Sequence, residues 1–504
     1  MSKKLLQKLT RRKNETQLFR LVLIVTALMA GAISLWIGLR QSVWFDEAYS
    51  ILLAKQPIGE LLRLTALDTH PPLYYVLLKG WAGIFGWSEL SLRGASVGSM
   101  VLAIIIGGLL LRRMFGSKLA IGGLLLVMIA PLVLRYGFEI RMYADAALAG
   151  VAATYALYSA WQSQGRKRAW WLVAYGVLVA VGTYLLYYLA FLWIAHVVWL
   201  LYIHIKRKQP WKKLVPYIAT YAGAVLLFVP WLPTFLAQTS NGALAPIGQP
   251  LNLDQLLGIA TFNTLYQPPY MMSIGLTVVA IAIVAAFIWA VPRARQELKG
   301  KSDEVVLLIM YIGVPIVLLM GVSLVRSMYT ERYLSHVAIG LILLLGVVVA
   351  AAVQHAGREK QRAVWALGII YGALLIGTVQ LTLLGNFNFQ RLQTPTVKQA
   401  AASLEACAPG RRLLVADPYV MTELSYYLPD CQIYFVSQWD TLGGGYAPYS
   451  GSKYQVKDIN ILNDQRVTYV FYGTPDQLMP DRYKEVSRET FGALNVVEYM
   501  ISAE

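Results

Sequence analysis

The apolar stretch LVLIVTALMAGAISLWIGL, residues 21–39, carries no charged side chain and is long enough to cross a bilayer as a helix. The basic segment KKLLQKLTRRK, residues 3–13, precedes it, and no small-residue cleavage site follows it. We therefore predict a retained membrane helix and not a removed signal peptide. Residues 1–20 would form a basic cytoplasmic N-terminus, because positively charged segments stay on the cytoplasmic side during insertion.

Further apolar segments follow, and in total the sequence predicts about eleven membrane helices. The later ones span approximately 94–111, 119–134, 142–161, 170–186, 188–204, 214–232, 271–291, 304–324, 334–353 and 363–384. Of the 504 residues, 57% are hydrophobic and 14% are charged, whereas soluble domains carry roughly 25% charge. The fold class is therefore an α-helical polytopic membrane protein.

The Lys and Arg residues cluster in alternate loops, which predicts the orientation of the chain. Of the 44 in the chain, 25 fall in the N-terminus and every second loop after it, 9 in the other loops and 10 in the C-terminal tail. The basic set is expected on the cytoplasmic face of a bacterial inner or plasma membrane. The net charge of +17 thus reflects topology, and a nucleic-acid partner is not predicted.

This alternation leaves two long segments outside the cytoplasm: the first outer loop, 40–93, and the tail, 386–504. The region 21–385 would be the transmembrane domain. The tail is long enough for a small α/β domain. Its predicted elements are strands at 412–416, 432–436, 467–472 and 495–501 and a helix at 420–428. Cys407 and Cys431, the only cysteines, both fall in this outer segment, so we predict that they form a disulfide.

Two clusters in the first outer loop could carry chemistry. The segment WFDEAY, residues 44–49, places Asp46 and Glu47 beside aromatic residues at a helix end, where a carboxylate could act as a general base. The alternative is a polar helix cap within an aromatic belt. The segment DTHPPLYY, residues 68–75, contains Asp68 and His70 before a Pro pair that can start a helix at Leu73. The alternative there is a proline turn with an incidental histidine.

Two further clusters stand at later helix ends on the same predicted face. The segment 135–145 contains Arg141 and Tyr143, and the segment 326–334 contains Arg332 and Tyr333. Charged residues at a membrane boundary are costly unless they are paired or used, and arginine offers a fork for phosphate oxygens. The alternative for the cluster at 135–145 is an ion pair that only holds helices together, formed by Arg135 with Glu139 or by Arg141 with Asp145.

Taken in order, these motifs resemble the protein O-mannosyltransferase superfamily, glycosyltransferase family 39, and its bacterial relatives such as the aminoarabinose transferases of lipid A. The similarity rests on Phe45-Asp46-Glu47, the segment 68–75, Arg141-Met142-Tyr143 and Arg332-Tyr333-Leu334. It covers roughly residues 15–385. The resemblance implies a GT-C fold and an inverting glycosyltransferase that uses a polyprenyl-phosphate-linked sugar. In the aminoarabinose branch a Lys precedes the Pro pair, whereas this chain has His70.

The resemblance implies that Asp46 is the catalytic carboxylate, with Glu47 beside it. Asp68, His70, Arg141, Tyr143, Arg332 and Tyr333 would bind the donor phosphate and substrate. No cofactor is required, although the O and N ligands of Asp46, Glu47, Asp68 and His70 could hold a divalent metal. The acceptor could be a glycan, a lipid or a protein.

Two other classes of protein fit a large polytopic body. The first is a lipid or oligosaccharide transporter or flippase, which predicts charges inside the membrane spans along a pathway. The second is a structural subunit or sensor whose tail binds a partner. The predicted spans are nearly free of acidic residues, and the charged clusters gather at one face. The sequence therefore favours an enzyme that acts at the membrane surface over a protein that transports a substrate across the membrane.

Overall fold

The computed structural model describes residues 3–502 apart from 129, 241–284, 286–287, 327–329, 356, 384–395, 405–410, 441, 443–445 and 447–448. The chain divides into two compact units. The helical unit comprises Met1–Gly38, Arg93–Pro233 and Ala245–Leu383. The mixed unit comprises Leu39–Leu92, Thr234–Leu244 and Leu384–Glu504.

Within the described residues the chain forms α-helices and one sheet. The helices, in chain order, are α1 (Lys3–Leu39), α2 (Phe45–Lys55), α3 (Ile58–Ala66), α4 (Leu73–Phe85), α5 (Glu89–Phe115), α6 (Ser117–Val127), α7 (Pro131–Phe138), α8 (Tyr143–Trp161), α9 (Gly165–Leu185), α10 (Leu189–Lys206), α11 (Val215–Phe228), α12 (Leu232–Ser240), α13 (Ser302–Val325), α14 (Ser335–His355), α15 (Lys360–Leu383), α16 (Thr396–Ser403) and α17 (Pro418–Tyr427). The strands are β1 (Arg411–Val415), β2 (Ile433–Val436), β3 (Gln455–Val456), β4 (Arg466–Tyr472), β5 (Tyr483–Phe491) and β6 (Leu494–Ile501).

Helices long and apolar enough to cross a membrane confirm that the chain is a multi-pass membrane protein. In the described part of the chain there are 7, at Lys13–Leu39, Glu89–Phe115, Gly165–Leu185, Leu189–Lys206, Trp211–Thr239, Lys299–Val325 and Arg332–Gln354. They coincide with seven of the predicted apolar segments. The predicted segments 142–161 and 363–384 are the helices α8 and α15. Most of the predicted segment 271–291 lies outside the described residues.

The predicted apolar segment 119–134 is divided into α6 and α7, which begins at Pro131. Proline lacks a backbone N–H and disfavours helical backbone in the residue before it, so one continuous helix is not formed. α6 packs closely on α14. A Cβ atom built on Gly346 would collide with the backbone of Gly122 and Gly123. These glycines therefore permit the close backbone approach that is common between membrane helices.

The mixed unit is built around a six-stranded sheet with the order β3-β2-β1-β4-β6-β5. β1 to β4 are mutually parallel where they pair, and β6 is antiparallel to β4 and β5. β1 and β4 are buried on both faces: Val415 packs in the core under α16 and α17, and Leu414 packs with Tyr469 on the opposite face. Parallel strands that are buried on both sides read as continuous apolar runs, which agrees with VTYVFY in β4.

The C-terminal predictions are confirmed for four strands and one helix. β1, β2, β4 and β6 lie within one residue of their predicted starts, and α17 begins two residues before its predicted start. Asp417 caps α17, because its side chain accepts a hydrogen bond of 3.0 Å from the Val420 N–H. Cys407 lies outside the described residues, whereas Cys431 packs beside the domain core. The disulfide stays a prediction.

Candidate active site

The first acidic cluster opens helix α2 in the mixed unit. Trp44 has extended backbone, and its N–H donates a 3.3 Å hydrogen bond to Oε2 of Glu47, the third residue of the helix. This is one half of a capping box, which stabilises a helix start by satisfying a backbone N–H. Glu47 is only 1% exposed. Asp46 lies one residue earlier in the same first turn and is partly exposed.

The two adjacent carboxylates therefore differ in environment. Glu47 is buried and holds the start of its own helix, whereas the partly exposed Asp46 can meet a substrate. The structural alternative considered for this cluster, a polar helix cap, applies to Glu47.

The second cluster forms a hydrogen-bonded group before helix α4, which begins at Leu73 as predicted. His70 Nδ1 lies 3.3 Å from Asp68 Oδ2, and the Tyr75 hydroxyl donates to the same oxygen at 3.4 Å. Thr69 Oγ1 lies 3.0 Å from His70 Nδ1. The side chains of His70 and Asp68 are 12% and 7% exposed. His70 is therefore an oriented, largely buried ring beside a carboxylate and not a loose histidine in a turn.

Aromatic residues from the C-terminal segment hold the start of α2. The ring of Phe45 stacks on Tyr419 with centroids 4.6 Å apart, and it lies 5.1 Å from Tyr446. The Val43 N–H donates a 2.7 Å hydrogen bond to the Tyr427 hydroxyl. Tyr419 and Tyr427 belong to α17, so the sheet and the helix that carries Asp46 are parts of one packed unit.

In the helical unit, the cluster between α7 and α8 contains a buried ion pair. Arg135 lies 3.3 Å from Glu139, with side chains 5% and 1% exposed. Asp145 accepts a 2.8 Å hydrogen bond from Ser99. The alternative Arg135–Glu139 pairing is thus present, and Asp145 has a partner on a different helix. Arg141, only 3% exposed, lies between these two carboxylates in sequence.

A residue that the sequence argument did not select lies near both Tyr143 and Tyr333 in the helical unit. Tyr188, at the turn between α9 and α10, stacks on Tyr333 with centroids 4.1 Å apart and ring planes 18° from parallel. Its hydroxyl also lies within electrostatic range of Tyr143 and Arg332. The third and fourth clusters are therefore neighbours in the helical unit. In the sequence, Tyr188 is visible only as part of a short aromatic turn. That pattern does not indicate that it packs against Tyr333, about 145 residues later in the chain.

The predicted site residues are thus distributed over both units. Asp46, Glu47, Asp68 and His70 belong to the mixed unit, and Arg141, Tyr143, Arg332 and Tyr333 belong to the helical unit. Among the residues that the structure describes, no three His, Cys, Asp or Glu side chains are grouped closely enough to hold a metal ion.

Part of the chain is similar to a known protein family. Residues 69–233, about a third of the chain, match the family model described as dolichyl-phosphate-mannose-protein mannosyltransferase. The matched region begins at Thr69 and includes the His70 and Arg141 segments. A search of curated proteins finds no match to the sequence.

Solved structures resemble the chain over nearly its whole length. ArnT from Cupriavidus metallidurans in the apo state has a TM-score of 0.62 and 14% identity, covering 96% of this chain and 98% of that chain. The same protein bound to undecaprenyl phosphate has a TM-score of 0.61 and 16% identity, covering 95% and 97%. The apo oligosaccharyltransferase from Archaeoglobus fulgidus has a TM-score of 0.52 and 12% identity, covering 89% and 69%.

The fold is that of the membrane-embedded GT-C proteins, with a helical bundle followed by a small C-terminal α/β domain. The chain therefore shares its fold with these structures, and residues 69–233 resemble the mannosyltransferase family model.

Proposed function

We propose that the protein is an inverting glycosyltransferase that moves a sugar from a polyprenyl-phosphate-linked donor to a hydroxyl acceptor. The observation that carries this proposal is the first turn of α2, where a partly exposed Asp46 stands beside a buried, helix-capping Glu47. A general base must reach the acceptor hydroxyl from a fixed position, and Asp46 has both exposure and a rigid support.

The reaction exchanges one bond at the anomeric carbon for another. The acceptor oxygen attacks that carbon while Asp46 takes the hydroxyl proton. The bond to the phosphate oxygen breaks, and the polyprenyl phosphate leaves with the electron pair. Arg141 neutralises the phosphate charge, with Arg332 and His70 as further donors, because charge that develops in the transition state is stabilised by preorganised cations.

The remaining site residues act through these groups. Asp68 orients His70 through the 3.3 Å contact, and Glu47 supports Asp46 by fixing the start of α2. Tyr143 and Tyr333 belong to the helical unit together with Arg141 and Arg332, and we assign them to the sugar. Polar atoms on aromatic rings suit a sugar, which has hydrogen-bonding hydroxyls and apolar faces.

The donor class is supported by the structural relatives. One structure of ArnT holds undecaprenyl phosphate, and one of the archaeal oligosaccharyltransferase holds a dolichol-phosphate with an inhibitory peptide. We carry over the shared chemistry, a phosphate on a long isoprenoid chain, to this protein. The acceptor is a glycolipid, a cell-envelope polysaccharide or a protein.

The reaction takes place on the extracytoplasmic face. Nucleotide sugars do not reach that face, so an enzyme acting there needs a lipid-borne donor. The support is the alternation of basic loops, which predicts a cytoplasmic N-terminus and an external C-terminus. A reporter active only outside the cytoplasm should be active when fused after residue 504 and silent after residue 208. The opposite result would reverse the face and remove this part of the proposal.

Activity is tested with the purified full chain in lipid and a polyprenyl-phosphate sugar labelled in the sugar. We expect the label to leave the lipid and free polyprenyl phosphate to appear, and Asp46→Asn to stop both. A transporter or flippase would move the donor between leaflets and leave it intact. An intact donor with every acceptor class offered would therefore count against the enzyme and for transport.

A further inference from the structure

A polar cavity lies in the helical unit at the ends of four membrane helices. It has a volume of about 600 Å³ and is lined by residues that include Gln162, Arg168, His204, Arg207, Lys213 and Asp303. Gly165–Leu185, Trp211–Thr239 and Lys299–Val325 begin here, and Leu189–Lys206 ends here. Because all four are candidate membrane spans, the cavity lies at the depth where a bilayer meets water. None of the proposed active-site residues lines it.

The carboxylates of this cavity already have cationic or hydroxyl partners. Asp303 accepts hydrogen bonds from Lys206 at 2.7 Å and from Arg207 at 2.6 Å. Glu304 accepts a 3.0 Å hydrogen bond from the Tyr158 hydroxyl. Further cations, Arg168 and Lys213, remain in the lining after the pairs are counted. The cavity is therefore suited to an anion, not to a second cation.

Arg168 is held in a fixed orientation. Its guanidinium lies 5.2 Å from the ring centre of Tyr217, and one terminal nitrogen donates to the Lys213 carbonyl oxygen at 3.3 Å. Its Nε is buried and has no hydrogen-bond partner among the described residues. A planar guanidinium with donors to spare is the group that best recognises phosphate oxygens.

His204 supplies a second buried donor or acceptor. The residue is 4% exposed, and its ring packs against Trp211 with centroids 4.5 Å apart. Its Nε2 has no hydrogen-bond partner within the described part of the chain. A buried polar atom without a partner costs free energy, so a polar ligand group in the cavity would relieve that cost.

We propose that this cavity binds the phosphodiester headgroup of an anionic membrane lipid. Arg168 and Lys213 supply the charge, His204 supplies a further hydrogen bond, and the N-termini of α9 and α13 add positive helix-dipole ends. The location at the ends of four spans favours a lipid, because its acyl chains can remain in the bilayer. Basic pockets between membrane helices are suited to such headgroups. The proposal is independent of the transfer reaction.

The test uses the full chain purified in zwitterionic detergent and then offered phosphatidylglycerol, phosphatidylcholine or inorganic phosphate. Retained lipid is counted by native mass spectrometry. We expect phosphatidylglycerol to be retained in preference to phosphatidylcholine. The double variant Arg168→Gln with Lys213→Gln should lower that retention by roughly 10- to 100-fold, the range expected for lost hydrogen bonds to a charged group.

A matched control is the double variant Lys167→Gln with Lys212→Gln. It removes the same charge from exposed neighbours that do not line the cavity, and it should retain lipid like the unchanged protein. Equal losses in both double variants would show a general charge effect and overturn the proposal. Equal retention of the two lipids would overturn it as well. If inorganic phosphate binds through Arg168 while phosphatidylglycerol does not, the lipid assignment is wrong. A folding control is the elution volume of each variant in size-exclusion chromatography.

Discussion

The mixed unit and the helical unit hold their charged residues differently. In the mixed unit, Asp46 and Glu47 stand at the start of a short helix, in which one carboxylate is buried and the other is partly exposed. In the helical unit, Arg135 and Arg141 are both nearly fully buried, and Arg135 is paired with Glu139. In both cases two similar residues lie close in sequence, and one of each pair has a clear structural role. The proposed function assigns the other members, Asp46 and Arg141, to proton transfer and to the donor phosphate, and the following variants test each pair.

The largest effect is expected at Asp46. Asp46→Asn keeps the size of the side chain but removes its basicity, so transfer should fall roughly 10²–10⁴-fold while membrane insertion and donor binding stay normal. Glu47→Gln should be milder, because the amide oxygen can still accept from the Trp44 N–H. The measurement is turnover with a polyprenyl-phosphate sugar.

The control for both changes is Glu60→Gln, which alters an exposed acid on the neighbouring α3. If Asp46→Asn keeps full turnover while Glu47→Gln abolishes it, the roles within the acidic pair are reversed. If both keep full turnover, the first loop is not the catalytic site.

The next effect is on folding, at Arg135. Arg135→Gln removes the Arg135 cation from the buried Glu139 carboxylate, and breaking a buried pair costs about 3–5 kcal/mol. The free energy of unfolding is measured by denaturant titration in mixed micelles. Lys118→Gln serves as the control, because its pair with Glu15 is far more exposed, with side chains 48% and 32% accessible. A loss no larger than in that control would mean that the buried pair does not hold the helices.

Whereas the change at Arg135 should affect folding, a change at Arg141 should affect donor binding and transfer. Arg141→Ala should raise KM for the donor and lower kcat, with kcat/KM reduced roughly 10- to 100-fold, as expected for a lost hydrogen bond to a charged group. Arg141→Lys keeps the charge but not the fork, so it should recover only part of the loss. If Arg141→Ala lowers the free energy of unfolding but leaves the KM for the donor unchanged, Arg141 has a structural role. The two arginines would then not differ in function.

The smallest effect is expected at the support of α2. Tyr427→Phe removes the hydroxyl that accepts from the Val43 N–H, at a cost of about 0.5–1.5 kcal/mol. Hydrogen exchange of the backbone amides of residues 43–47 should become faster. Tyr434→Phe is the control, because its hydroxyl donates to exposed Gln432 within the sheet domain. Unchanged exchange in Tyr427→Phe would show that α17 does not steady the start of α2.

The sequence predicted β4 and β6 well but missed β3 and β5. β3 has only two residues, which is too short for any alternation to be visible. β5 is an edge strand that is exposed along most of its length, so its residues are polar and lack the apolar period of a buried strand. Strands are readable from sequence when they are buried, because burial selects apolar side chains.

The residues of the candidate site were also only partly predictable from the sequence. Local motifs pointed to Asp46, Asp68 and His70 as candidates, which stay predictions, and the Pro pair gave the start of α4. The aromatic supports Tyr419 and Tyr427 could not be found, because nothing in a run of tyrosines says which distant backbone group it will meet. Tyr188 was missed for the same reason.

The sequence by itself determined that the chain is a polytopic membrane protein with a small α/β domain, because lipid and buried strands both demand long apolar runs. It also determined which segments carry charge beside the spans. Only the tertiary structure decided the partners of those charges: Arg135 pairs with Glu139, and Asp145 accepts a hydrogen bond from Ser99 on another helix. Spacing along one helix permits several pairings, and the choice among them depends on which neighbouring helix packs against each side chain.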